Sequence, residues 1–159
     1  MGIVSFRCPC PARSGTLEIP MADQPIPLSA ITSYHAHIYF DPGEARVRAE
    51  RLRTLIGERF VARLGSWHDK PVGPHPKPMY QVAFALELFP SFVPWLMLNR
   101  MGLSVLIHPN TRRPHGDHLV NALWLGEKLP LKGDMLPAEV AEDGVENLPP
   151  PNTTPTLQP

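Results

Sequence analysis

Cysteine is nearly missing from this sequence: Cys8 and Cys10 are the only two among 159 residues. A pair separated by one proline makes a poor disulfide frame and too small a ligand set for structural zinc, so both are read as inert thiols. Net charge is missing as well, with 15 Lys+Arg against 15 Asp+Glu. That balance gives no overall field toward nucleic acid or an anionic membrane, and small ligands remain the open class of partner. Long apolar runs are also lacking. Phe92 to Leu98 is among the longest and Pro94 interrupts it, far short of a membrane span. Residues 1–15 contain no apolar stretch long enough for a secretory signal, so the location read from sequence is the cytoplasm. Met21 opens the segment MADQPIPLSAITSY, which has the character of a native start and would make the residues before it an extension.

Proline is abundant. Of 21, five precede residue 28 and six follow residue 136, where polar neighbours dominate and no apolar period survives. Residues 1–28 and 137–159 are therefore read as disordered tails around one domain at 29–136. The 43% hydrophobic content suffices for a single core.

Within the domain, Tyr34 to Asp41 alternates: Tyr34, Ala36, Ile38 and Phe40 share one face, and His35, His37 and Tyr39 the other. That is the period of a half-buried strand. Asp41-Pro42-Gly43-Glu44 offers an N-cap, a proline at the first helical position and a capping-box glutamate. Ala45, Ala49, Leu52 and Ile56 then form a buried helical stripe. A second strand fits Phe60 to His68, a proline-rich loop Asp69 to Pro78, and a third strand Met79 to Leu88. Pro90 to Met101 reads as a second helix stopped by Gly102, and Leu103 to His108 as a fourth strand. The order is that of the ferredoxin-like βαββαβ fold, an α+β arrangement with a four-stranded antiparallel sheet and both helices on one face.

On this reading the first and third strands run one way and the second and fourth the other. His35, His37, His68, His75 and His108 then meet at one rim, with His115 and His118 within reach of it. His35 and His37, two apart on a strand, point to the same face at roughly 6–7 Å, close enough to share one metal ion. Neutral imidazole suits zinc, iron and copper. Each histidine also has a plain alternative as a solvated or loop residue, and Trp67, Trp95 and Trp124 read as packing residues. Arg112 and Arg113 are a solvated basic pair or a bidentate clamp for a substrate carboxylate.

Five ordered motifs carry a family resemblance: Tyr34-His35-Ala36-His37-Ile38-Tyr39-Phe40, Lys70-Pro71-Val72-Gly73-Pro74-His75-Pro76, Pro94-Trp95-Leu96-Met97-Leu98-Asn99-Arg100, His108-Pro109-Asn110 and Trp124-Leu125-Gly126-Glu127. Together they resemble the DOPA 4,5-dioxygenase family of fungi and bacteria, over roughly Tyr34 to Leu131. The resemblance implies a small, often oligomeric protein, here a homodimer, that cleaves a catechol with non-haem Fe(II) and O₂ as co-substrate. It carries the family's histidines onto His35, His37, His75, His108 and His118.

The division of roles is our own. His35, His37 and His108 are taken as iron ligands, because strand ends hold geometry better than loops. His75 and His118 are taken as acid–base residues. A two-histidine, one-carboxylate site is an equal alternative, with Glu127 or Asp117 as carboxylate. Arg112, Arg113 and Glu127 are the substrate-binding candidates. Three other readings compete: a metal-free enzyme using histidine as acid or base, a non-catalytic module binding zinc or a small aromatic, and a dimerisation domain pairing through Tyr39, Leu106 and Phe84.

Overall fold

The computed structural model describes residues 24–159. Cys8, Cys10, the Met21 start and most of the N-terminal tail lie outside the described residues. The elements are β1 (Ser33–Tyr39), α1 (Glu44–Arg59), β2 (Arg63–His68), β3 (Met79–Phe84), α2 (Phe89–Asn99), β4 (Ser104–Asn110), α3 (Pro114–Leu119) and β5 (Leu123–Leu125). They build one sheet of order β2-β3-β1-β4-β5. The fold is α+β as read from sequence, but the sheet has five strands rather than four, because the chain leaving β4 turns through α3 and pairs Leu123–Leu125 with Val105–Ile107. No helix among the described residues is long and apolar enough to cross a membrane.

The alternation of β1 divides the molecule. Ala36, Ile38 and Phe40 are buried against Ala49, Leu52 and Ile56 of α1 and Phe92, Val93 and Leu96 of α2. The opposite face is not half-exposed as expected: Tyr39, Met79, Leu106 and Leu129 form a second apolar cluster, with Trp124 stacked on Tyr39. Tyr39 and Leu106, expected to pair with a second copy, are therefore covered by the chain itself. Phe84 lies in the helix-side core. All three tryptophans pack on other rings, Trp67 on Phe40 and Tyr80, and Trp95 on Phe60.

Two local expectations change. Helix α1 begins at Glu44 behind Gly43 (φ 90°), with no side-chain cap, because the Asp41 carboxylate accepts from Lys77 Nζ at 3.0 Å instead. Strand β3 ends at Phe84, and Leu86–Leu88 forms a 3-10 turn leading into α2.

Strand directions differ from the reading as well. β1 is antiparallel to both β3 and β4, and β2 is antiparallel to β3. The pairs sharing a direction are thus β1 with β2 and β3 with β4. The reason is general: a crossover helix returns the chain to a parallel strand, whereas the β2–β3 connection reverses it. The start of β1 therefore meets the end of β4, which keeps His35 opposite His108. His68 falls at the other end of the sheet, opposite Met79.

The expected C-terminal tail instead docks along the outer edge of β2. Asn152 N donates to Ala62 O at 3.1 Å, Leu64 N donates to Asn152 Oδ1 at 2.8 Å, and Asn152 Nδ2 donates to Leu64 O at 3.0 Å. One asparagine thus occupies edge groups that another strand could otherwise pair with. Thr153 Oγ1 accepts from Ala62 N, and Thr156 N and Leu157 N both donate to Glu58 O. Composition missed this docking because it rests on hydrogen bonds rather than on an apolar period.

Candidate metal centre and ligand cavity

Strand register sets the first three histidines. His35 and His37 project from the non-helical face of β1, His108 faces His35 from β4, and Gln81 faces His37 from β3. His75 arrives by a different route from the one expected. The loop before β3 makes a tight turn, with His75 N donating to Val72 O and Gly73 at φ 54°. This turn lays His75 over His37, with ring centroids 4.2 Å apart. Helix α3 brings His118 against His108, at 3.8 Å between centroids.

Five imidazoles thus converge. The ligand atoms of His35, His37 and His108 lie within 4.8 Å of one another, and so do those of His37, His75 and His118. His37 belongs to both groups. His35, His37, His75 and His108 are all 5% exposed or less.

Burial, followed by repulsion from His118 and His75, lowers the His35 pKa to about 4. Burial, then His118 and His68, lowers His75 to about 4 as well. Burial and the neighbouring rings hold His37 and His108 well below the usual histidine range. His118 is lowered by burial against the opposing pull of the Pro114 carbonyl and Asp117. At neutral pH the cluster is therefore a set of uncharged nitrogen donors.

Hydrogen bonds assign the tautomers. His108 Nδ1–H donates to Pro109 O at 2.8 Å and His118 Nδ1–H to Pro114 O at 2.9 Å, so both turn an Nε2 lone pair inward. This backbone anchoring of the far nitrogen is the usual orienting device for a metal-bound imidazole. His75 differs: its Nδ1 lies 2.7 Å from the Tyr39 hydroxyl. Burial raises the Tyr39 pKa, so the hydroxyl keeps its proton and donates it to Nδ1. His75 then carries its own proton on Nε2.

The donor set fits a metal on two further observations. His37 Nε2 lies 3.1 Å from His108 Nε2, a spacing within reach of two ligands whose bonds to one ion are about 2.0–2.1 Å. His37 Nδ1 is buried without a hydrogen-bond partner. A buried polar atom left without a partner is uncommon and marks a site completed by something else.

In front of the cluster is a cavity of about 250 Å³, lined by His35, His37, His75 and His118 together with Gln81, Asn110, Thr111, Asp117, Val140 and Glu146 among others. The remaining sequence candidates lie elsewhere. Glu127 lines a smaller cavity beside Tyr39, Arg48 and Lys77 at the opposite end of the sheet. Arg112 is turned toward Val140 O and Glu139, and neither it nor the exposed Arg113 lines the histidine cavity. Asp117 is present at the site, but both its oxygens accept from Thr111. His115 is exposed.

Sequence reasoning missed Gln81 and Glu146. Gln81 is the one polar residue in the strand Met79–Phe84, which was a usable signal. Glu146 sits in the stretch read as tail, where nothing in composition pointed to it.

Residues 34–135 match the profile of the Dopa 4,5-dioxygenase family. The chain belongs to the DOPA 4,5-dioxygenase family. It is 35% identical over 122 residues to a DOPA 4,5-dioxygenase of Amanita muscaria, covering 72% of this chain and 54% of that one. It is 43% identical over 95 residues to an uncharacterised 21.2 kDa protein of Botryotinia fuckeliana, covering 55% and 50% respectively. The chain thus spans about half the length of these curated relatives. The crystal structure of a Nostoc punctiforme protein provisionally assigned as a dioxygenase is 50% identical and superposes with a TM-score of 0.68, covering 70% of this chain and 96% of that one. All five clustered histidines fall inside the DOPA 4,5-dioxygenase match, whereas Val140 and Glu146 lie beyond it.

Proposed function

We propose that this protein is a non-haem Fe(II) dioxygenase that opens the ring of a catechol by extradiol cleavage, with L-DOPA and its 4,5 bond as the first candidates. The observation that carries this reading is the cluster of uncharged imidazoles sharing His37, set beside a cavity large enough for one substituted ring. Family membership supplies the reaction class.

His37, His35 and His108 are the proposed ligands, with the β1 and β4 backbones fixing their spacing. Bound there, Fe(II) would supply redox chemistry and open coordination positions beside its histidines. His118, with Nδ1–H held by Pro114 O, presents Nε2 as a base for a catechol proton. His75, with Nδ1 accepting from Tyr39, presents Nε2–H as a hydrogen-bond donor to charge developing on the substrate's oxygens. The Gln81 side-chain amide lies 3.1 Å from His35 Nε2 and steadies that ring. Pro114, Asp117 and His118 of α3, with Val140, form part of the cavity wall that the sheet does not supply.

The test is O₂ consumption by protein loaded with Fe(II) without air, on addition of L-DOPA, plain catechol or caffeic acid. Stoichiometric uptake with a yellow ring-opened product is expected. Uptake with another catechol but not L-DOPA keeps the reaction class and removes the substrate. No uptake by protein with iron demonstrably bound returns the cavity to a non-catalytic binding site.

A further inference from the structure

Charge around the cavity is one-sided. Among the described residues no lysine or arginine lines it, and four of its lining residues are uncharged histidines. Asp117 is 2% exposed and committed to Thr111. Glu146 is the other carboxylate on the wall. It is 55% exposed, with Oε1 3.6 Å from His35 Nε2, which places it where the cavity meets solvent. It stands outside both groups of converging ligand atoms, which contain histidines only.

Its position is built rather than incidental. The turn Glu142–Gly144 precedes it. Thr32 Oγ1 donates to Glu146 O at 3.3 Å, while Thr32 N donates to Asn110 O at 3.0 Å beside the end of β4. The docked C-terminal segment thus hangs a carboxylate over the mouth of a site whose other parts come from the sheet, the His75 loop and α3.

In the catechol reading the hydroxyl pair faces the histidines, and the side arm points away from them, toward the exposed side of the cavity where Glu146 stands. An ammonium there meets Glu146, and a carboxylate there meets Glu146 with no compensating cation. We infer that Glu146 is a specificity-determining residue that selects catechols bearing a cationic side arm over those bearing an anionic one. This rests on the catechol reading of the cavity and adds a residue from outside the family match. The basic pair Arg112 and Arg113, expected from sequence to hold a carboxylate, leaves that role unfilled.

The experiment compares three probes on the full, Fe(II)-loaded chain: dopamine, 4-methylcatechol and 3-(3,4-dihydroxyphenyl)propanoate. The kcat/KM ratio of amine to acid is expected to favour the amine. Glu146→Gln should lower that ratio about fivefold, the upper range for a half-exposed ion pair, and Glu146→Lys should reverse the preference. Glu139→Gln removes the same charge outside the cavity, from a residue paired with Arg112, and should keep the wild-type ratio. An unchanged ratio in Glu146→Gln, or an equal fall in Glu139→Gln, overturns the inference. If none of the probes consumes O₂, the dioxygenase reading fails separately. Calorimetric binding of the same probes under nitrogen then decides the charge preference, and equal Kd values for amine and acid overturn it.

Discussion

Tyr39→Phe isolates one hydrogen bond. The Tyr39 ring is 2% exposed and stacked on Trp124, contacts that phenylalanine retains, while the hydroxyl 2.7 Å from His75 Nδ1 is lost. His75 is 5% exposed, so its Nδ1 loses a donor that water replaces poorly. A buried acceptor left without its partner costs about 1–3 kcal/mol, a measurable part of a total near 5–15 kcal/mol. The effect on chemistry is separate. Without the hydroxyl nothing holds the proton on His75 Nε2, and turnover should fall about 10–100-fold, as for other partners that orient a functional imidazole. Iron content should stay at the wild-type level, because His75 is not among the proposed ligands. Urea denaturation, metal analysis and O₂ uptake on one preparation separate these effects. Wild-type turnover in a stably folded, iron-loaded Tyr39→Phe protein would refute the assignment of His75 Nε2–H as a hydrogen-bond donor to the substrate. Loss of iron in that variant would instead move His75 into the ligand set.

His37→Ala should abolish iron retention, because His37 belongs to both groups of converging nitrogens, whereas His118→Ala should keep iron and lose turnover by about 10²–10⁴-fold; full iron occupancy in His37→Ala contradicts the proposed centre. Metal-free protein should lose stability in acid. His35 and His75 drop from 6.5 unfolded to about 4 folded, so between those values the unfolded chain binds protons that the folded chain refuses. Their contribution is complete above pH 6.5 and is lost as pH falls toward 4, at up to about 1.4 kcal/mol per pH unit per group. Urea midpoints that stay level from pH 7 to 5 would count against the buried neutral cluster. Asn152→Ala removes the two side-chain bonds to Leu64 and should cost about 1 kcal/mol, read as a lower urea midpoint; an unchanged midpoint would mean the C-terminal segment adds nothing to the edge of β2.

Some of the site was legible because its determinants are local. The alternation of Tyr34 to Phe40 placed His35 and His37 on the face opposite the helices without any knowledge of partners, since strand geometry alone sends neighbours to opposite sides. His108 joined them through the order of elements. The reading placed His75 at the same rim through a strand direction that was wrong. It reaches the cluster because the Val72–His75 turn folds back over the sheet, which depends on what that loop covers. Glu127 shows the reverse case. It follows a recognisable motif, yet β5 carries it to the far end of the sheet.

By itself the sequence determined the α+β class, a strand with all its histidines on one side, and the family, because periodicity and ordered motifs are properties of neighbouring residues. Tertiary structure decided the remainder: that the second sheet face is covered, that Arg112 pairs with Glu139 and neither it nor Arg113 lines the cavity, and that the proline-rich end docks on β2 and delivers Glu146 to the mouth of the site. These outcomes depend on which distant groups satisfy one another's hydrogen bonds and buried surface, and contacts across more than a hundred residues, such as Thr32 with Glu146, leave no period in the chain.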